Sequence, residues 1–360
     1  MNERLLKKLL KRKESGNLRT LEIPGQGIDF FSNDYLGLSK RANYNYEALP
    51  NGSTGSRLLS GNSIIAEECE SFLANHFDSK SALVYGSGYA ANLGLLSAIL
   101  QRGDVVFYDQ YIHASSRDGI RLSLADSVSF KHNDLKDLSN KLSKKRFQNN
   151  YVLVESLYSM DGDLAPLKEI ASICDEYNAY LIVDEAHAAG IYGEMGKGLC
   201  FENKILSKVF ARVITFGKAY GIHGATVLGS EILKEYLINF SRSFIYSTAL
   251  PPSDYRAISE LVQHKELNEL RAGLQKNISF FRDLCGVKSF LSDPTSPIQI
   301  LEFEESKELE AIVSGLKKHS IYTKGIYPPT VPVGKSRLRL CLHAFNSQKE
   351  IEILANCLLK

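Results

Sequence analysis

Between residues 82 and 214, short β-rich apolar runs alternate with stretches of helical periodicity, and this alternation limits the possible folds more than any other feature of the chain. The runs lie at 82–85, 105–108, 127–130, 151–154, 180–183 and 209–214. Helical patterns over 90–100, 113–124, 135–145 and 166–177 fall between them. The last pattern opens with Pro166, and proline at a first helical position forfeits no hydrogen bond. A strand regained after a helix pairs in parallel, because only a crossover connection reaches a parallel neighbour. The expected fold is α/β: a mostly parallel central sheet with helices on both faces.

Open sheets of this kind collect ligands at the carboxyl ends of their strands. Gly88, His113, Ser159, Asp184, His187 and Lys218 all fall at or shortly after those ends. Lys218 sits in Thr215-Phe216-Gly217-Lys218-Ala219-Tyr220-Gly221, directly after an apolar run. A lysine amine among apolar neighbours loses solvation, so its pKa falls and it can attack a carbonyl. The plainer alternative is a solvated loop lysine. Asp184 ends a buried run, where a carboxylate is costly unless paired. It suits a cap or an ion pair, or, taken with Lys218, the acid that a pyridoxal phosphate ring needs beside its nitrogen. Gly86-Ser87-Gly88 ahead of a helix aims backbone N–H groups at a phosphate. His113 then suits the ring face, and His187 the ring's phenolic oxygen or a substrate carboxylate. Each histidine alone would equally suit packing.

A length of 360 residues suggests roughly two domains. The expected division is an N-terminal helix and arm over 1–34, a large cofactor-binding domain over 35–250 and a small α+β domain over 251–360. In the last, a long helical pattern runs to about residue 285, followed by strand-like runs at 298–303 and 337–342 and helices at 307–318 and 348–359. Residues 2–13 place Leu5, Leu6, Leu9 and Leu10 on one helical face with lysines around them. A basic amphipathic helix can lie on a membrane, but packing against the body or a second subunit is the expected use. A net charge of +2 makes no case for nucleic acid. The six cysteines are scattered without a C-x-x-C pair, so no metal site is expected and a reducing cytoplasm suits them. No apolar run approaches the ~20 residues of a membrane span, and the N-terminus has no continuous apolar stretch for a signal peptide.

Longer motifs join these residues. They are Ser32-Asn33-Asp34-Tyr35-Leu36-Gly37-Leu38, Ser60-Gly61-Asn62, Gly86-Ser87-Gly88-Tyr89-Ala90-Ala91-Asn92, Ile112-His113-Ala114-Ser115, Ser159-Met160-Asp161-Gly162-Asp163, Val183-Asp184-Glu185-Ala186-His187, Thr215-Phe216-Gly217-Lys218 and Ser247-Thr248-Ala249-Leu250-Pro251-Pro252. With them the chain, from Leu18-Arg19 to its C-terminus, resembles the α-oxoamine synthases, fold-type I enzymes that use pyridoxal 5'-phosphate. The resemblance implies a decarboxylative condensation of a small amino acid with an acyl thioester. It implies that Lys218 holds the cofactor as a Schiff base and later acts as base, that Asp184 faces the pyridine nitrogen, and that His187 lies by the ring oxygen. His113 would stack on the ring. Gly88, Tyr89, Ser159 and Thr215 would surround the cofactor and its phosphate. Ser247 and Thr248 would reach the phosphate of the second subunit in a homodimer with shared active sites. Arg339 would grip the amino-acid carboxylate, with Asn33, Arg19 and Thr330 among the substrate contacts. The choice among alanine, glycine and serine, the acyl chain and its carrier stay open. A non-catalytic partner subunit is the alternative of another class, and the intact set of Lys218, Asp184, His187 and His113 argues against it.

Overall fold

A computed structural model describes residues 3–14, 18, 21, 27–41, 49–144, 148–286, 290–328, 331 and 333–359. The chain forms two compact units, one of Met1–Ser32, Met160–Gly162 and Gly273–Lys360, the other of Asn33–Ser159 and Asp163–Ala272. Elements in chain order begin with α1 (Glu3–Glu14) and β1 (Ile28–Asp29). The larger unit supplies α2 (Ile64–His76), β2 (Ser81–Tyr85), α3 (Gly88–Ile99), β3 (Val105–Asp109), α4 (Ala114–Leu122), β4 (Asp126–Phe130), α5 (Leu135–Leu142), β5 (Asn150–Glu155), α6 (Leu167–Glu176) and β6 (Ala179–Asp184). Next come α7 (Leu199–Glu202), β7 (Val209–Thr215), β8 (Ala225–Gly229), α8 (Glu231–Phe240), α9 (Arg242–Ile245), α10 (Pro252–Val262) and α11 (Leu267–Cys285). The chain ends with β9 (Ile298–Phe303), α12 (Ser306–Lys318), β10 (Ile321–Tyr322), β11 (Lys324–Ile326), β12 (Ser336–Cys341) and α13 (Gln348–Leu359).

The large sheet has seven strands in the order β2-β8-β7-β6-β5-β3-β4. Its pairs are parallel except those of β8, which runs antiparallel to both β2 and β7. The apolar runs form strands because both sheet faces are covered: β2 is buried at every position, and β5 at all but its first. α3 packs Ala91, Leu95 and Ile99 into a cluster with Val106, Leu153 and Val213. Each such aliphatic side chain contributes roughly 1.5–3 kcal/mol when fully buried.

Several details differ from the sequence reading. β8, a short run released by Gly224, was not foreseen as a strand. α3 starts two residues before Ala90, because the Ser87 hydroxyl accepts from the Ala90 N–H at 3.1 Å and caps the helix there. The long helical pattern after residue 251 is two helices, α10 and α11, and α10 falls in the larger unit, packed against α2. Beyond the apolar run at 151–154 the residues stay buried through Tyr158, and Glu155 itself closes β5. The Ser156 N–H donates to the Asp184 carbonyl at 2.9 Å, extending the ladder beyond the strand.

In the smaller unit β9, β12 and β11 form an antiparallel sheet in the order β11-β12-β9, and β1 pairs in parallel with β10. β1 has two residues. The Asp29 carboxylate accepts from the N–H groups of Phe31 and Ser32, both at 2.9 Å, and bends the chain away. α1 buries none of its described residues, and Leu5, Leu6, Leu9 and Leu10 are all exposed.

Candidate active site

Lys218 lies on the hairpin that joins β7 to β8. The Phe216 N–H donates to the Gly224 carbonyl (2.9 Å), the Ile222 N–H to the Phe216 carbonyl (3.0 Å) and the Gly221 N–H to the Lys218 carbonyl (2.9 Å). Gly221 has φ +64°, and a Cβ there would lie 2.4 Å from the Ser39 N, so the turn needs glycine on two counts. Lys218 is half-buried.

Asp184 ends β6, next to β7 in the sheet, and is 5% exposed. Its Oδ2 accepts from Asn92 Nδ2 at 2.7 Å and its Oδ1 from the Ala186 N–H at 2.9 Å. Among the described residues it has donors but no ion-pair partner. A buried carboxylate held by neutral donors alone has room for a cation, such as a protonated pyridine nitrogen.

His113 precedes α4 and is exposed, but the surrounding protein still strips enough solvent to hold its imidazole below the usual histidine range. Asp184 opposes that shift and Lys218 adds to it, so the three groups share one electrostatic neighbourhood. His187 is buried, with Nδ1 2.7 Å from the hydroxyl of Tyr35, which donates to Asn33 Oδ1 at 3.1 Å. Asn33 is thereby linked to His187.

Gly88 opens α3 beside Thr215: a Cβ on Gly88 would lie 3.4 Å from the Thr215 Cβ. The Thr215 hydroxyl donates to the Gly224 carbonyl at 3.2 Å. Among the described residues nothing lies within 4 Å of a Cβ built on Gly86, so the turn at the head of α3 has open space there. With the positive end of α3 there, this cradle suits a phosphate. Tyr89 is exposed, its hydroxyl bonded to the Asp118 carboxylate. Together the open turn, the unpaired acid and the hairpin lysine fit pyridoxal phosphate.

Ser247 and Thr248 follow α9 and are exposed. Arg339 lies on β12 of the smaller unit, between Lys324 of β11 and Ile300 of β9, with its Nη1 3.0 Å from the Cys341 sulfur. Arg19 and Thr330 lie outside the described residues. A cavity of about 830 Å³ between Gly193, Phe201 and Leu206 is lined by none of the expected site residues.

One buried acid escaped the sequence reading. Glu155 is the register partner of Asp184 on β5 and is 4% exposed. Burial pushes its carboxyl up to about 8; Asp184 adds to the rise, while Lys218 and the N–H groups of His113 and Ser159 oppose it. Its Oε1 has no hydrogen-bond partner among the described residues. The signal was available, since Glu155 follows its apolar run as Asp184 follows its own.

Residues 26–358 match the family described as aminotransferase class I and II. The chain belongs to that family, and within it to the pyridoxal-phosphate-dependent α-oxoamine synthases. It is 37% identical to the 8-amino-7-oxononanoate synthase of Emericella nidulans, over 96% of this chain and 92% of that protein. Among solved structures, 8-amino-7-oxononanoate synthase from Francisella tularensis is 32% identical with a TM-score of 0.79, covering 92% of this chain and 96% of that one. A serine palmitoyltransferase from S. paucimobilis, with bound PLP and myriocin, is 26% identical with a TM-score of 0.86, covering 98% of this chain and 95% of that one.

Proposed function

We propose that the protein condenses L-alanine with a pimeloyl thioester, releasing the thiol and carbon dioxide and giving 8-amino-7-oxononanoate for biotin biosynthesis. The class of chemistry rests on one observation: a hairpin lysine and a buried carboxylate with no ion pair among the described residues stand on adjacent strand ends. The choice of substrate rests on sequence identity. Backbone similarity ranks the palmitoyltransferase higher, at 0.86 against 0.79, and identity ranks the oxononanoate synthase higher, at 32% against 26%. Identity is the better guide here, because backbone similarity reports the shared fold while side chains select substrates.

When bound, pyridoxal phosphate supplies an electron sink for the α-carbon of the amino acid. Lys218 Nζ would tether the cofactor's aldehyde carbon and, once freed by the substrate amine, take the α-proton. Asp184 would keep the ring nitrogen protonated, with Asn92 and the Ala186 N–H holding its carboxylate in place. Gly88, Tyr89, Ser159 and Thr215 would flank the cofactor, and His187 would meet the ring oxygen. Arg339 would bind the amino-acid carboxylate through its planar fork of donors.

The assembly in this reading is a homodimer. The exposed Ser247 and Thr248 and the uncovered leucines of α1 support it, since each is left by the single chain for another surface. The deciding assay supplies pyridoxal phosphate and measures thiol release from pimeloyl, acetyl and palmitoyl coenzyme A with alanine, glycine or serine in turn. Alanine with the pimeloyl thioester is the expected pair. Preference for serine with palmitoyl, or glycine with acetyl, would replace this reading with a sister activity.

A further inference from the structure

Asp184 and His113 stand on different elements, and the structure joins them through two buried side chains, Asn92 of α3 and Ser115 of α4, 3% and 0% exposed. Asn92 Nδ2 donates to Asp184 Oδ2 at 2.7 Å and to Ser115 Oγ at 3.1 Å. The amide can face only this way, because an ionised carboxylate accepts and never donates. The Asn92 Oδ1 accordingly has no partner among the described residues. Both hydrogens of the amide nitrogen are then used. Ser115 Oγ accepts one of them, and its own proton is free for His113 Nδ1 at 2.7 Å. The Ser115 backbone N–H points at the same nitrogen from 3.2 Å, with His113 capping α4. Two donors converge on Nδ1, so Nδ1 carries the lone pair and the ring proton sits on Nε2.

We propose that Asn92 and Ser115 are positioning residues that hold the Asp184 carboxylate and fix His113 as the neutral Nε2–H tautomer, so that acid and histidine form one hydrogen-bonded line. The significance of the line rests on the cofactor reading above, because only there do Asp184 and His113 address one ring. The line itself needs no cofactor. In this tautomer His113 presents a donor at Nε2 and no lone pair there. It can donate to a carbonyl or carboxylate oxygen of a substrate, and it cannot take up a proton at Nε2. That leaves Lys218 as the base. The lowered proton affinity of His113 agrees, since the ring stays neutral where an ordinary histidine begins to charge.

The test is a nitrogen–proton correlation spectrum of the full chain carrying ¹⁵N-labelled histidine, with and without added pyridoxal phosphate. The His113 signal is identified by its loss in His113→Asn. The expected result is a protonated Nε2 and a bare Nδ1 in the unmodified protein. In Ser115→Ala, which keeps the backbone N–H but removes the hydroxyl donor, the Nδ1 shift should move while Nε2 stays protonated. Asn92→Ala should weaken pyridoxal phosphate binding on the order of tenfold, the loss expected for one hydrogen bond to a charged group. A protonated Nδ1 in the unmodified protein, which needs no variant to fold, overturns the proposal. So does a Ser115→Ala spectrum with the Nδ1 shift unmoved. If the protein takes up no pyridoxal phosphate while His113 shows the expected tautomer, the line stands and the cofactor reading is the one that fails.

Discussion

Asp184 and Glu185 are neighbours in the chain, and both are buried carboxylates. Glu185 has its needs met by the chain itself. Its Oε2 pairs with Arg212 Nη1 at 3.3 Å, its Oε1 accepts from the Cys200 N–H at 2.9 Å, and Gly198 packs against it so closely that a Cβ would lie 2.6 Å from Oε1. Asp184 turns instead toward α3 and, among the described residues, has only neutral donors. Similar burial thus comes with two arrangements: Glu185 has its own cation, and Asp184 has none among the described residues. The same contrast separates two histidines. His132 is bonded to Asp109 at 3.0 Å and to Asp163 at 2.8 Å, while His113 is held neutral.

The sharpest attack on this contrast removes the lysine. Lys218→Ala should lower kcat by about 10³-fold or more, within the range lost with a positioned proton-transfer group. Borohydride treatment should then leave no pyridoxyl label at this position, while far-ultraviolet circular dichroism stays unchanged. Next comes Asp184→Asn, for which turnover should fall about 10²–10³-fold, the scale lost with one electrostatic stabiliser. Its melting temperature should hardly move, because no buried cation is orphaned. Glu185→Ala should do the reverse. It strands Arg212 and should cost about 3–5 kcal/mol of stability, read by urea unfolding, with activity per folded molecule preserved. If Glu185→Ala abolished turnover without destabilising the fold, the two acids would have to exchange roles.

Further tests lie in pH. Burial alone would lower the His132 pKa from 6.5, but its bonds to Asp109 and Asp163 override that and hold it at about 10. A group raised on folding stabilises the protein fully below its unfolded pKa and loses that contribution as pH rises through the folded one. His132 should therefore make the melting temperature fall between about 6.5 and about 10. His132→Gln should flatten that stretch. Glu155, raised from 4.5 to about 8, gives the same sign at lower pH, and Glu155→Gln should flatten the curve between those values.

Asp184 and Lys218 were legible in the sequence because local pattern reveals them: an apolar run ends and a charge follows. The mostly parallel sheet was legible for the same reason. What stayed hidden depends on partners far along the chain. Periodicity shows that a segment is buried and does not show beside what. Asn92 meets Asp184 across 92 residues, and nothing local marks that bond. β8 follows β7 through a glycine-containing hairpin with no helix between them, so it lacks the strand–helix alternation that reveals the others. Glu155 stayed hidden because its charge suggested solvent, when its neighbour in the sheet was another buried acid.

The place of β8 has a consequence for the order in which the protein comes into being. β2 is the first strand of the large sheet to leave the ribosome, and among the described residues its partner in that sheet is β8. Ser81 is matched with Gly229, so β2 waits through more than a hundred residues of synthesis, roughly ten seconds or more at ordinary elongation rates. Until then the open turn after β2 and the hairpin that carries Lys218 belong to separate pieces of chain. The strand that pairs with β2 is also the one that follows the Lys218 hairpin, so turn and hairpin join one sheet only after β8 is made.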